Sequence, residues 1–180
     1  MKFALAISLA AALSLPMSSC GQPEPHPLLD GPPAKTAEMQ ALGHWLGEWD
    51  VELRFGAHDA EATTGTYYIR MAPDGRWLLS DFHSTANGEV FWGQEAITFD
   101  STKGKYFSTW KDSLEATQLT ALSTYDAETR TLTAIARDSQ ERNTIGTTIF
   151  PDNNHWNYQM DVLNDDGTRD GVMWVAAIRK

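Results

Sequence analysis

Leu46-Gly47-Glu48-Trp49-Asp50-Val51-Glu52-Leu53-Arg54-Phe55 changes its pattern at the glycine. Before it, Met39, Leu42 and Trp45 or Leu46 recur at helical spacing. After it, Trp49, Val51, Leu53 and Phe55 alternate with Glu48, Asp50, Glu52 and Arg54. A period of two over eight residues describes a strand with one dry face and one wet face. Thr36 is placed to cap the preceding helix, Glu38 lies in its first turn, and Gly47 can stop it. That helix, over residues 36–46, is too short to stand alone. Its apolar stripe therefore needs a surface to cover.

Downstream, the same alternation repeats between regular turn signals. They fall near residues 56–61, 73–75, 87–88, 100–104, 112–115, 126–129, 138–142, 151–154 and 164–167. Asn-Gly and Asp-Gly pairs tolerate positive φ and so favour hairpins. Nine turns delimit ten strands, and the two prolines beyond residue 35, Pro73 and Pro151, both fall in turns. Short consecutive connections make each strand pair with its predecessor. The expected fold is all-β: a ten-stranded antiparallel up-and-down barrel over residues 36–180, with the short N-terminal helix closing one end. Closure removes the two edges that an open sheet would expose. Across residues 116–150 the alternation blurs into Thr, Ser and Ala beside Leu and Ile. Small inward residues there predict a lumen the protein does not fill.

The chain ahead of this domain reads differently. Lys2, an apolar run from Phe3 to Leu15, and Met17-Ser18-Ser19-Cys20 have the proportions of a signal peptide over residues 1–19. The lone cysteine at the cleavage point resembles the acylated first residue of a bacterial lipoprotein, although Met17 stands where leucine is usual. Gly21 after it, in such lipoproteins of Gram-negative bacteria, implies the outer membrane, facing the periplasm. Residues 20–35 are rich in proline and form a tether of about 3.1 Å per residue. His26 belongs to that spacer. A lone thiol exported to an oxidising compartment is otherwise a liability.

With 14 Lys and Arg against 24 Asp and Glu, the formal charge is −10. Such a surface repels phosphate backbones, so nucleic acid is an improbable partner class.

Two further resemblances carry the fold. Gly47-Glu48-Trp49 is similar to the Gly-x-Trp signature of lipocalins and other calycins. That resemblance implies an arginine late in the barrel lying across the tryptophan, and Arg179 is the residue that could do so. Residues 97–113, with Ile97-Thr98-Phe99-Asp100 and Lys105-Tyr106-Phe107-Ser108-Thr109-Trp110, resemble the bacterial domain of unknown function family 1579. So does Ser123-Thr124-Tyr125-Asp126-Ala127-Glu128-Thr129-Arg130-Thr131-Leu132-Thr133. The family supplies no substrate and no catalytic residues.

Signals for chemistry are sparse. The sequence has no Gly-rich phosphate loop, no Gly-x-Ser-x-Gly and no second cysteine. Its five histidines show no i,i+2 or i,i+4 pair, so neither a metal nor a cofactor is expected. Polar residues that share a strand face with bulky apolar ones are the candidates for ligand contact. Asp81 and His83 alternate in phase with Trp77 and Leu79; Glu95 with Phe91, Ile97 and Phe99; Arg137 with Ile135; Trp110 with Tyr106 and Ser108. The opposite phase puts Asp81 and His83 outside, with Leu78 and Phe82 inward.

The leading expectation is uptake of a small apolar or amphipathic molecule inside the barrel. One alternative is acid–base catalysis by Asp81, His83 and Glu95, which requires the three to converge. Another is haem binding as in nitrobindin-type barrels, which use a histidine late in the chain; residues 156–180 contain none. A structural or partner-binding role at the membrane is the fourth.

Overall fold

The computed structural model describes residues 36–86, 89–114 and 118–180. Cys20, the signal and tether segments and the Asn87-Gly88 turn lie outside the described residues. Ten strands follow one another: β1 (Gly47–Phe55), β2 (Thr63–Met71), β3 (Trp77–Ala86), β4 (Glu89–Asp100), β5 (Lys105–Asp112), β6 (Leu119–Asp126), β7 (Thr131–Arg137), β8 (Asn143–Ile149), β9 (His155–Leu163) and β10 (Arg169–Arg179). Each pairs antiparallel with its predecessor, and β1 pairs with β10 to close the barrel. The closing seam runs from Trp49 opposite Arg179 to Phe55 opposite Met173. One β-bulge, between Gly171 and Met173, interrupts the register of β9 with β10.

The N-terminal segment departs from a single helix over residues 36–46. It is α-helical only over α1 (Ala37–Ala41) and tightens into a 3₁₀ turn over Leu42–Trp45. Gly43 sits inside that turn, and glycine weakens an α-helix interior. Thr36 caps α1 as expected, its Oγ1 accepting from the Met39 N–H at 3.2 Å. Met39, Leu42 and Trp45 are buried against one end of the barrel.

That end is packed with aromatic rings. Trp156 meets Trp45, Trp49 and Tyr67 edge-on, with centroids 5.7–6.2 Å apart. Trp45 also meets Phe150 at 5.3 Å. Edge-to-face contacts add to the area each ring buries. Polar ties fix the plug on this floor. Trp49 donates to the Trp45 carbonyl at 3.0 Å, and the Tyr106 hydroxyl donates to the Glu38 carbonyl at 2.8 Å.

Arg179 completes the floor. Its guanidinium lies 4.1 Å from the Trp49 ring and donates to the carbonyls of His44, Leu46 and Asn153 at 2.6–2.8 Å. Gly47 adopts φ of +133°, a region L side chains rarely enter, and a Cβ there would collide with the Arg179 guanidinium. A charged donor that satisfies several carbonyls contributes more than a neutral one. Arg179→Ala is therefore expected to cost about 3 kcal/mol. Arg179→Lys should recover little, because one ammonium cannot span three carbonyls. Urea unfolding curves check this; a loss below about 0.5 kcal/mol would remove the arginine from its structural role.

Candidate functional site

Pairing across neighbouring strands assigns every side chain to the inside or the outside. Starting from buried Trp49, Val51 and Leu53 on β1, the inward set on β3 is Leu78, Ser80, Phe82 and Ser84. Asp81 and His83 therefore project from the outer wall. Asp81 accepts from Arg70 at 2.6 Å and from Gln94 at 2.7 Å. Partial burial disfavours its charged form, but those hydrogen bonds and the Arg70 charge hold it below the usual carboxylate range. His83 borders an open recess of about 810 Å³ on the outer wall, beside Asp50, Glu52 and Thr66. Asp50 is paired with Lys180 and Glu52 with Arg54, so that recess holds exposed, already partnered charges. Arg137 also faces outward, 3.4 Å from Glu141, and its face-mate Ile135 is 58% exposed. Of the two phases open to Asp81 and His83 the structure takes the outward one, and Arg137 lies on the outer wall as well. The Asp81–His83–Glu95 set does not converge, and the acid–base reading built on it has no site.

Glu95 and Trp110 face inward, directly opposite each other on β4 and β5. Around them the lumen changes character. Above the aromatic floor, β6, β7 and β8 turn Ala121, Ser123, Ala134, Ala136, Thr144 and Gly146 inward. The three alanines keep accessible surface although they point into the barrel, as do Phe91, Trp110 and Tyr158. Where bulky side chains fill the floor, their accessibility falls to a few per cent. Space in the lumen is therefore read from the alanines and the rings that face them, since Ser123, Thr144 and Gly146 on the same wall are buried.

Two rings fold flat against neighbouring strands and preserve this space. A Cβ at Gly93 would strike the Trp110 indole, and one at Gly146 would strike the Tyr158 phenol. Glycine inside a strand here marks close approach of a ring to backbone. That signal was present in the sequence and could have drawn attention to Tyr158. Tyr67 was missed because Tyr67 and Tyr68 are adjacent and only pairing with Trp49 shows which one points in.

The polar group at mid-depth is Glu95. Tyr67 donates its hydroxyl hydrogen to Glu95 Oε2 at 3.3 Å, and Ser80 donates to the Tyr67 oxygen at 3.2 Å. Ser108 is a second hydrogen-bond partner. Burial pushes the Glu95 carboxyl up to about 7, against the opposing pull of those two hydrogen bonds. Glu95 also lines a recess of about 330 Å³ with Ser80 and, from the outer face, Arg70, Asp81, Gln94 and Lys111. Tyr67 is raised by burial and then by the Glu95 charge; Tyr158 is raised by burial, then by Glu95 and Asp161. Towards the mouth, Trp110 donates its indole N–H to Asp112 Oδ2 at 2.7 Å. Among the described residues no group of His, Cys, Asp and Glu is arranged to hold a metal.

The profile of a family of proteins of unknown function, DUF1579, matches residues 34–179. The chain belongs to that family. No curated protein matches it. Among solved structures it is similar to the S-type phycobiliprotein lyase CpeS from Guillardia theta, at 8% identity and a TM-score of 0.55. That match covers 81% of this chain and 94% of the lyase. A de novo designed fluorescence-activating β-barrel matches at 13% identity and a TM-score of 0.43, over 78% of this chain and 97% of the design. At 8% identity the likeness to the lyase is one of fold.

A carboxyl raised in the folded state holds its proton more tightly there than in the unfolded chain. Its contribution to stability is then complete below its ordinary value of 4.5 and is lost as pH rises towards about 7. Glu95→Gln removes that slope. The variant is expected to be more stable than the parent above pH 7, by on the order of 3 kcal/mol, with the gap closing towards pH 5. Thermal melts across this range test it, and a gap independent of pH would contradict the buried carboxyl.

Proposed function

We propose that this protein is a lipid-anchored component of a Gram-negative envelope whose barrel takes up a small apolar or amphipathic molecule. The observation that carries the binding half is the unfilled space beside Ala121, Ala134 and Ala136, in a barrel whose opposite end is plugged. A pocket of this kind, mainly apolar with few converging polar groups, is the usual form of a small-molecule site. Glu95, Tyr67 and Trp110 supply the polar groups, and the mouth opposite the plug supplies the entry. The likeness to the phycobiliprotein lyase is of fold alone.

The envelope half rests on the sequence of residues 1–35. The apolar run, Cys20 and Gly21 support export, acylation and retention on the outer membrane, with the proline-rich segment as spacer. Radiolabelled palmitate should enter the chain in a Gram-negative host and fail to enter Cys20→Ala; equal labelling of both would end this part of the reading.

Uptake is tested by parity along one strand. Ala134→Trp puts an indole into the lumen, whereas Ile135→Trp puts the same indole on the outer wall. The neutral fluorophore N-phenyl-1-naphthylamine is expected to bind the parent and Ile135→Trp alike and to bind Ala134→Trp at least about tenfold more weakly. An equal response from the two variants, or no binding by the parent, would defeat lumen uptake.

A further inference from the structure

Among the described residues Glu95 pairs with no cation. Its hydrogen-bond partners, Tyr67 and Ser108, are neutral. Among the described residues no Lys, Arg or His side chain points into this part of the lumen; Arg70 and Lys111 border a recess with Glu95 from the outer face. Arg70 and Arg137 are paired on the outer wall, Lys111 is exposed beside inward Trp110, and Arg179 is committed to the floor carbonyls. A lone buried carboxylate is costly, and a buried charge normally finds an opposite one. The second inward carboxyl, Asp112, lies nearer the mouth, held by the Trp110 indole.

The surfaces between these carboxyls are aromatic. Trp110 lies flat over Gly93, between the positions of Glu95 and Asp112. Phe82 stands against both Tyr67 and Phe91, with centroids 5.7 and 5.4 Å apart. Ring faces carry negative electrostatic potential and attract ammonium groups, most strongly when water is excluded. Closer to the mouth the wall turns apolar through Leu53, Phe91 and Met160.

We propose that the lumen selects amphipathic organic cations, an ammonium-type head entering first to rest between the Glu95 carboxyl and the Trp110 ring while the apolar body fills the mouth. This rests on the reading of the lumen as a ligand site and names its ligand class. A carboxylate head would meet two carboxyls and is repelled. A neutral head leaves the Glu95 charge uncompensated. A cation neutralises it at short range in a low-dielectric space. The net charge of −10 also raises the local concentration of cations around the mouth.

The test uses three decyl compounds that differ only in their heads: decyltrimethylammonium, decanol and decanoate. Each competes with N-phenyl-1-naphthylamine for the full chain. At pH 8.5 the ammonium compound is expected to bind about tenfold more tightly than decanol, and decanoate more weakly than either. The preference should shrink as pH falls to 5.5, because Glu95 then holds a proton. In Glu95→Gln the ammonium-to-decanol ratio should drop to within about twofold, whereas the outer-wall variant Glu52→Gln keeps it. Calorimetry in buffers of different ionisation enthalpy should show proton release on ammonium binding at pH 7, and none in Glu95→Gln. A tenfold preference that survives Glu95→Gln would assign selectivity to surface charge and overturn the inference. Displacement by all three compounds with equal affinity would overturn it while leaving lumen uptake intact. No displacement and no probe binding would remove uptake itself, and the inference with it.

Discussion

The seam between the first and last strands is what the rest of the molecule depends on. Seven residue pairs join β1 to β10, and at one end of that seam Arg179 lies over Trp49 and holds the carbonyls of the plug. Without the seam, both strands would be edges exposing unpaired N–H and C=O groups. With it, inside and outside become fixed properties of each residue, propagated by pairing from one strand to the next. The plug then has a floor to cover.

How much of this could be read in the sequence varied with local contrast. Turns were legible because Asp, Asn, Gly and Pro report backbone geometry directly, and nine of them fixed the count of strands. Trp49 to Phe55 declared its inner face because its outer face is fully charged. On β3 both faces carry large apolar groups, Trp77 and Leu79 on one and Leu78 and Phe82 on the other. Only the register against Tyr67 and Trp49, many residues away, decides between them. On β7 the difficulty is the reverse. The inner residues Ala134 and Ala136 are small, so exposed Ile135 is the most apolar residue in view and misleads the eye. The property that opens the lumen is the one that erases the pattern.

The interior also shows a division of labour along the barrel axis. The floor is dense and aromatic: Trp49, Tyr106 and Arg179 donate to backbone carbonyls, while among the described residues the buried indole N–H groups of Trp45 and Trp156 have no partner. The middle carries a carboxyl that an optimally stable core would replace. Retaining a raised Glu95 among Tyr67, Ser108 and Tyr158 sacrifices stability at neutral pH. Local departures of this kind from folding logic concentrate where proteins do their work. Glycines at 93 and 146 follow the same logic, since each forgoes a side chain so that a ring can lie against the wall and leave space in front of it.

The position of Arg179 in the chain has a consequence for biogenesis. While the polypeptide grows on the ribosome, nine strands and the plug precede the tenth strand and its arginine. Until the tenth strand is synthesised, β1 lacks its partner, Trp49 lacks its cover and the carbonyls of His44 and Leu46 lack their donor. The nascent chain thus cannot finish its floor early. A protein built in this order keeps its barrel open until the tenth strand has been made.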